Sequence, residues 1–285
     1  AADLALTPWG WRVAPAPVVS EGILPLDRFE ELLPPPTRLV SVIWGQSVVG
    51  TLPPLQTIGA LCRRYGIPFH TDATQVISQA LPDWNTLPVD LLSASAHKCG
   101  GPRGVGLLLI RRAWKQQLTA LLTGGGQENN LRSGTESVVL VAGMAEALAQ
   151  IQRCDVDGLP DSGDGIRRIR DELELQLCRT VGVATLGQPQ QRLPHHLALM
   201  LRDRLGKPLS GRRMVRVLDQ EGLAVSSGSA CSSGRDTDSS VLSAMRMPKE
   251  MRRSGLRLSL GFWNSSNQIG SIVERFERAM QVCSE

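Results

Sequence analysis

The sequence predicts an α/β protein: a larger domain on a mostly parallel central sheet, followed by a smaller α+β C-terminal domain. Three observations predict it. A strand–helix–strand succession spans 38–72, and two more strand patterns follow by residue 112. A polar stretch rich in Gly and Asp, DVDGLPDSGDG (155–165), then breaks the pattern. Beyond it a second series of helix and strand patterns begins. The division is placed at 1–154 and 155–285.

The elements follow in order. RLVSVIWG (38–45) is an apolar run of strand type. PLQTIGALCRRYG (54–66) sets Leu55, Ile58, Cys62 and Tyr65 near one helical face, with Gly66 suited to the C-cap. PFHTD (68–72) is the second strand, so a βαβ unit and a parallel pairing are expected. DLLSASA (90–96) and GVGLLLIRR (104–112) supply two more strands. TESVVLVAGMAEALAQ (135–150) reads as a helix, apolar enough to expect deep burial. IRRIRDELELQL (166–177) and GRRMVRVLDQEG (211–222) are helices on either side of the short strand LALML (197–201). GLRLSLGFW (255–263) alternates as a strand, and QIGSIVERFERAM (268–280) gathers Ile269, Ile272, Val273, Phe276 and Met280 on one face.

Composition excludes several classes. The chain of 285 residues is 42% hydrophobic, enough for one large core or two modest ones. A net charge of +4, with no basic run interleaved with aromatics, gives no warrant for direct nucleic-acid binding. No apolar run reaches membrane-spanning length, and AADLALTPWGW is not a signal pattern. The cysteines at 62, 99, 154, 178, 231 and 283 form no C-x-x-C pair and no zinc-type spacing, so free thiols, no metal and a cytoplasmic setting are expected.

Four segments could carry chemistry. SASAHKCGGPRGVG (93–106) puts Ser95, His97 and Lys98 just before a glycine-rich turn. A desolvated lysine there can form an imine with a carbonyl; a solvated lysine on a surface turn is the alternative. FHTDATQ (69–75) supplies Asp72 and Gln75 at a strand end. There Asp72 either pairs with a cation or caps a following helix, which would set Gln75 on the same side. GGGQENNLRSGTE (124–136) offers Arg132, Ser133 and Thr135 to an anion, or is a plain flexible loop. SSGSACSSG (226–234) holds Cys231 among small residues, where a buried structural thiol would have apolar neighbours. His195 and His196, before a strand, read as edge packing or surface exposure. Cys62 reads as core.

These segments together resemble the pyridoxal-phosphate-dependent cysteine desulfurases, the NifS/IscS-like branch of the class V aminotransferase family. The resemblance runs from about residue 1 to the C-terminal helix. It rests on VIWGQSVVGT, FHTDATQ, SASAHKCGGPRGVG, GGGQENNLRSGTE and SSGSACSSG in that order, followed by LRLSLG. It implies the PLP-dependent transferase fold type I, like aspartate aminotransferase, and pyridoxal 5'-phosphate as cofactor. By the same resemblance Lys98 holds the cofactor, Asp72 pairs with its ring nitrogen, Gln75 bonds its phenolic oxygen, and Ser95 and His97 bind its phosphate. Thr135 would reach the phosphate of a partner subunit, implying a homodimer. Gln46 and Arg257 would bind the substrate carboxylate. Cys231 would take sulfur from L-cysteine as a persulfide and pass it to an acceptor or scaffold protein for iron–sulfur assembly or another sulfur-transfer route.

Two departures qualify the resemblance. The family carries a further N-terminal portion with a phosphate loop and a ring-stacking histidine, so this chain is expected to be a fragment or a truncated product with weakened cofactor binding. The family also has paired asparagines and a glutamate where Gln46-Ser47-Val48 stand. Gln46 keeps the amide, and Val48 loses the acid. The rival readings are a selenocysteine lyase or sulfide-releasing C–S lyase, and a catalytically impaired interaction or regulatory protein.

Overall fold

Two four-stranded sheets, each with its own core, meet along a seam in the computed structural model, which describes residues 6–151, 153–154, 165–228 and 238–285. The first sheet is built from β1 (Val40–Ile43), β2 (Phe69–Asp72), β3 (Leu91–Ser95) and β4 (Gly106–Ile110), in that spatial order. β1, β2 and β3 are parallel and β4 is antiparallel to β3. The expected βαβ unit is present. Helix α1 (Leu55–Arg64) joins β1 to β2 and buries Leu55, Ile58, Gly59 and Cys62 on the face the spacing predicts. Gly66 ends it at φ 65°, with the Ile67 amide donating to the Cys62 carbonyl at 3.0 Å. Burial, and then the charge of Asp90, pushes the Cys62 thiol up to about 11, which fits a core side chain.

The register decides what stands at the strand ends. Ile43 faces Asp72, and Asp72 faces Ser93. The Trp44 amide donates to the Asp72 carbonyl at 2.8 Å, and the Ala73 amide to the Ser93 carbonyl at 2.9 Å. The carboxyl ends of β1, β2 and β3 therefore share one edge.

The second sheet is antiparallel, in the order β5 (Val183–Thr185), β6 (His196–Leu201), β8 (Gly255–Ser259), β7 (Ser226–Ser227). Every residue of β6 is buried. Its alternation explains this. Leu197, Leu199 and Leu201 enter one core with Phe276 and Met214, while Ala198 and Met200 enter another with Val49, Leu242 and Met251. A strand covered on both faces reads as a continuous apolar run. Helices α3 (Ile166–Leu177), α4 (Gly211–Gln220) and α5 (Ile269–Ser284) cover the first of these faces, α3 and α4 both packing on α5.

Four expectations are corrected. The helix expected over 135–150 forms as α2 (Val138–Ala149), but Met144 is its one buried residue, and Val138 and Val139 are 74% and 82% exposed. Glu146 is its one polar side chain, so composition could not say which stripe is covered. His195 and His196 are not on the surface: they are 5% and 1% exposed. The strand expected to 263 ends at Ser259, and Gly261–Asn264 turns instead, its Gly261 amide donating to Asn264 Oδ1 at 2.8 Å. No regular helix follows Asp72. Residues 74–79 form successive turns, with the Val76 and Ile77 amides both on the Ala73 carbonyl. Pro82 disfavours helical backbone at Leu81, so no helix could run past Ala80. The break expected at 155–165 lies outside the described residues except for Gly165.

Among the described residues no helix is long and apolar enough to cross a membrane, and no His/Cys/Asp/Glu group has metal-site geometry.

Candidate active site

The shared carboxyl edge of the parallel strands is where ligands gather in open α/β sheets. Asp72 emerges there, half-buried, its Oδ1 accepting from the Thr74 amide at 3.0 Å. This side-chain turn replaces the helix cap expected of it. Gln75 follows, half-buried, in the turns. Beneath Asp72 the His70 ring bridges two strands, Nδ1 at 2.8 Å from Ser41 Oγ and Nε2 at 3.0 Å from Ser93 Oγ. Burial lowers its pKa, against the opposing pull of Asp72.

Ser95 closes β3, and the chain enters a single 3₁₀ turn, Ala96–Lys98. Ala96 is fully buried and anchors the turn. Its carbonyl accepts from the Cys99 amide at 3.0 Å, the Gly101 amide at 2.9 Å and Cys99 Sγ at 3.1 Å. Burial raises the Cys99 thiol pKa. His97 and Lys98 stand exposed on this fixed base. The solvated lysine, rather than the desolvated one, describes the chain by itself. Asp72, Ser95, His97 and Lys98 are thus brought to one edge by register and one turn.

A second group lies on the seam between the sheets. Gln46–Thr51 form a tight turn, with the Gln46 amide on the Thr51 carbonyl at 2.9 Å and the Gly50 amide on the Gln46 carbonyl at 2.7 Å. Gln46 Oε1 accepts from the Val48 amide, so its oxygen serves the turn. Across the seam Arg257 Nη1 donates to the Ser47 carbonyl at 2.9 Å. Arg257 is half-buried in β8, between β6 and β7, and not on a free surface. The Leu52 amide donates to the Gln191 carbonyl at 2.8 Å, and the Leu193 amide to the Gly50 carbonyl at 2.9 Å. Sequence separation hid these contacts.

The sequence reading also missed the charged support behind the turn. Arg170, 3% exposed, donates through Nη1 to the Leu193 carbonyl at 2.9 Å and pairs with Asp171. Arg192, 5% exposed, pairs with Glu174. These buried cations hold 192–196 against the 46–51 turn. Burial, helped by Arg170 and then Arg257, lowers His195 to about 4. Both histidines are neutral near pH 7.

One expected residue stands apart from both groups. Thr135 is exposed on the segment before α2. The loop preceding it is shaped by the Ser133 amide on the Leu122 carbonyl at 3.0 Å and the Gly134 amide on Gln127 Oε1 at 3.1 Å. Cys231 lies outside the described residues. In β7, Ser226 pairs with Arg257 and Ser227 with Leu256. A cavity of about 590 Å³ lined by Ile77, Leu81, Trp84, Leu92, Leu107 and Leu148 is apolar and contains none of the site residues.

The donor set defines what the edge can do. It offers an amine, a carboxylate, a hydroxyl and an imidazole on one sheet edge, with a guanidinium across the seam. An amine can form an imine with a carbonyl, a hydroxyl and an imidazole can bind a phosphate, and a guanidinium suits a carboxylate.

Known proteins resemble this chain over most of its length. The aminotransferase class-V family profile matches residues 3–272. The chain is 36% identical over 260 residues to cysteine desulfurase IscS of Methylococcus capsulatus, covering 91% of this chain and 62% of the relative. It is 34% identical over 265 residues to the mitochondrial cysteine desulfurase of Saccharomyces cerevisiae, covering 93% of this chain and 51% of that one. A NifS-like protein of Rickettsia africae superposes with a TM-score of 0.82 at 26% identity, over 98% of this chain and 72% of that one. That superposition shows the fold to be the one expected. The chain spans less than two thirds of the length of these two curated relatives.

Proposed function

Because the chain belongs to the aminotransferase class-V family, we propose that it represents a pyridoxal 5'-phosphate-dependent cysteine desulfurase. The reaction converts L-cysteine to L-alanine and leaves the sulfur on Cys231 as a persulfide. The balance closes without an oxidant, since the substrate loses one sulfur atom and the Cys231 thiol gains it. The observation that carries the reading is the meeting of Asp72, Ser95, His97 and Lys98 at the carboxyl edge of the parallel strands.

The residues present fit the cofactor by the chemistry of their donors. Lys98 would hold its aldehyde carbon, Asp72 its protonated ring nitrogen, Gln75 its phenolic oxygen, and Ser95 and His97 its phosphate. Thr135 would serve the phosphate site of the partner subunit in a homodimer. When bound, the cofactor supplies an electron-withdrawing ring next to the substrate α-carbon. The chain's own residues do the rest. The Lys98 amine would be the base that takes the substrate α-proton. The Asp72 carboxylate keeps the ring nitrogen charged. Arg257, with the Gln46 amide beside it, receives the substrate carboxylate and fixes which end of L-cysteine faces Cys231. The Cys231 thiolate attacks the substrate sulfur, and the persulfide then passes to an acceptor. A sulfur acceptor or scaffold protein, a cytoplasmic setting and a domain boundary at 154/155 complete the proposal.

Adding pyridoxal phosphate to the chain tests the cofactor assignment. An absorbance band near the visible edge that disappears in Lys98→Ala is expected. A soluble, folded chain with no such band would overturn it.

A further inference from the structure

His196 departs from every role assigned above, yet it touches the substrate-side machinery. It is 1% exposed, and its Nε2 lies 3.1 Å from the Ser47 carbonyl oxygen. That is the same oxygen to which Arg257 Nη1 donates at 2.9 Å. A carbonyl accepts only, so the imidazole proton sits on Nε2. Burial, against the pull of the Ser47 carbonyl and reinforced by His195, Arg257 and Arg192, lowers His196 to about 3, so the ring stays neutral. Nδ1 has no hydrogen-bond partner among the described residues. On that side the ring lies against Gly50, where a Cβ would come within 2.6 Å of Nδ1. Gly50 has φ 80°, so the turn needs glycine for its backbone and for the space it leaves the imidazole.

We propose that His196 is the positioning residue for Arg257, acting through the Ser47 carbonyl that both side chains hold. The proposal rests on Arg257 receiving the substrate carboxylate. In the chain without substrate, the guanidinium donates to a neutral carbonyl. A carboxylate is the stronger acceptor and draws Nη1 away from it. A buried carbonyl left without a donor is costly. His196 keeps Ser47 satisfied, so Arg257 can turn to the substrate without orphaning the turn. The same bond holds the Gln46–Gly50 turn at a fixed distance from the guanidinium. His196 thus sets carboxylate affinity and leaves sulfur chemistry untouched.

Two measurements test this. In the first, ¹⁵N NMR of the wild-type chain without cofactor reads the ring of His196. The neutral Nε2–H tautomer from pH 5 to 8 is expected, and an Nδ1–H tautomer or a titration within that range overturns the proposal. In the second, the cofactor-loaded chain is titrated with L-cysteine and with cysteamine, which keeps the amine and thiol but lacks the carboxylate. His196→Leu should weaken L-cysteine about tenfold, leave cysteamine unchanged, and raise KM with kcat unaltered. His196→Gln, which can donate from the same place, should restore wild-type values. Equal weakening of both ligands, no weakening, or no rescue by glutamine overturns the role of His196. Arg257→Leu separates the underlying reading. It should abolish the preference for L-cysteine over cysteamine, and a retained preference would remove Arg257 as the carboxylate site and the proposal with it.

Discussion

His195 and His196 show how much one residue's surroundings change its chemistry. Both are nearly fully buried and have pKa values lowered to about 4 and about 3. An unfolded chain would hold them near 6.5 and therefore bind more protons below that pH. Their contribution to stability is complete above about pH 6.5 and is lost as pH falls toward the folded values. Between pH 7 and pH 5 each histidine should remove about 2 kcal/mol from the unfolding free energy. Urea titrations at the two pH values check this. The fall should shrink by about half in His196→Gln, and a pH-independent midpoint in the wild type would contradict the burial. Neither histidine could be read as buried from the sequence. The contact of His196 with Ser47 spans 149 positions, and that of Arg257 with Ser47 spans 210. Asp72 and Lys98 were legible because a strand end and a glycine-rich turn are local signals.

At the scale of elements, strand and helix positions were legible wherever one face is apolar. The spacing in α1 names Leu55, Ile58, Cys62 and Tyr65; the first three are buried, while Tyr65 lies past the helix end and is 37% exposed. LALML gave β6 because a continuous apolar run is the mark of a strand covered on both sides. The helix α2 was legible as a helix but not in its burial, since VVLVAGMA carries no polar face to orient it. The helix left open after Asp72 does not form, and successive turns take its place. These two apolar elements predict opposite outcomes. Leu199→Ala in β6 removes a fully buried side chain and should cost about 2–5 kcal/mol of unfolding free energy. Val139→Lys on the exposed side of α2 should change it by less than about 0.5 kcal/mol. Chemical denaturation of the two variants checks both. A large loss from Val139→Lys would show that this side of α2 is covered in solution.

The whole molecule joins two sheets through the Gln46–Thr51 turn and the segment 191–196, and the division of labour follows from that seam. The parallel sheet presents Asp72, Ser95, His97 and Lys98; the antiparallel sheet presents Arg257. The break near residue 155 lies outside the described residues, but strands of both sheets were legible as apolar runs. The seam was not, because its contacts are carried by backbone groups and by buried arginines that composition counts as surface charge. Mass spectrometry of the chain after incubation with pyridoxal phosphate and L-cysteine tests the central claim most directly. The account predicts one added sulfur on the peptide containing Cys231, formed together with L-alanine and absent from Lys98→Ala. L-Alanine formed with no sulfur on Cys231, or at an unchanged rate in Cys231→Ala, would contradict it.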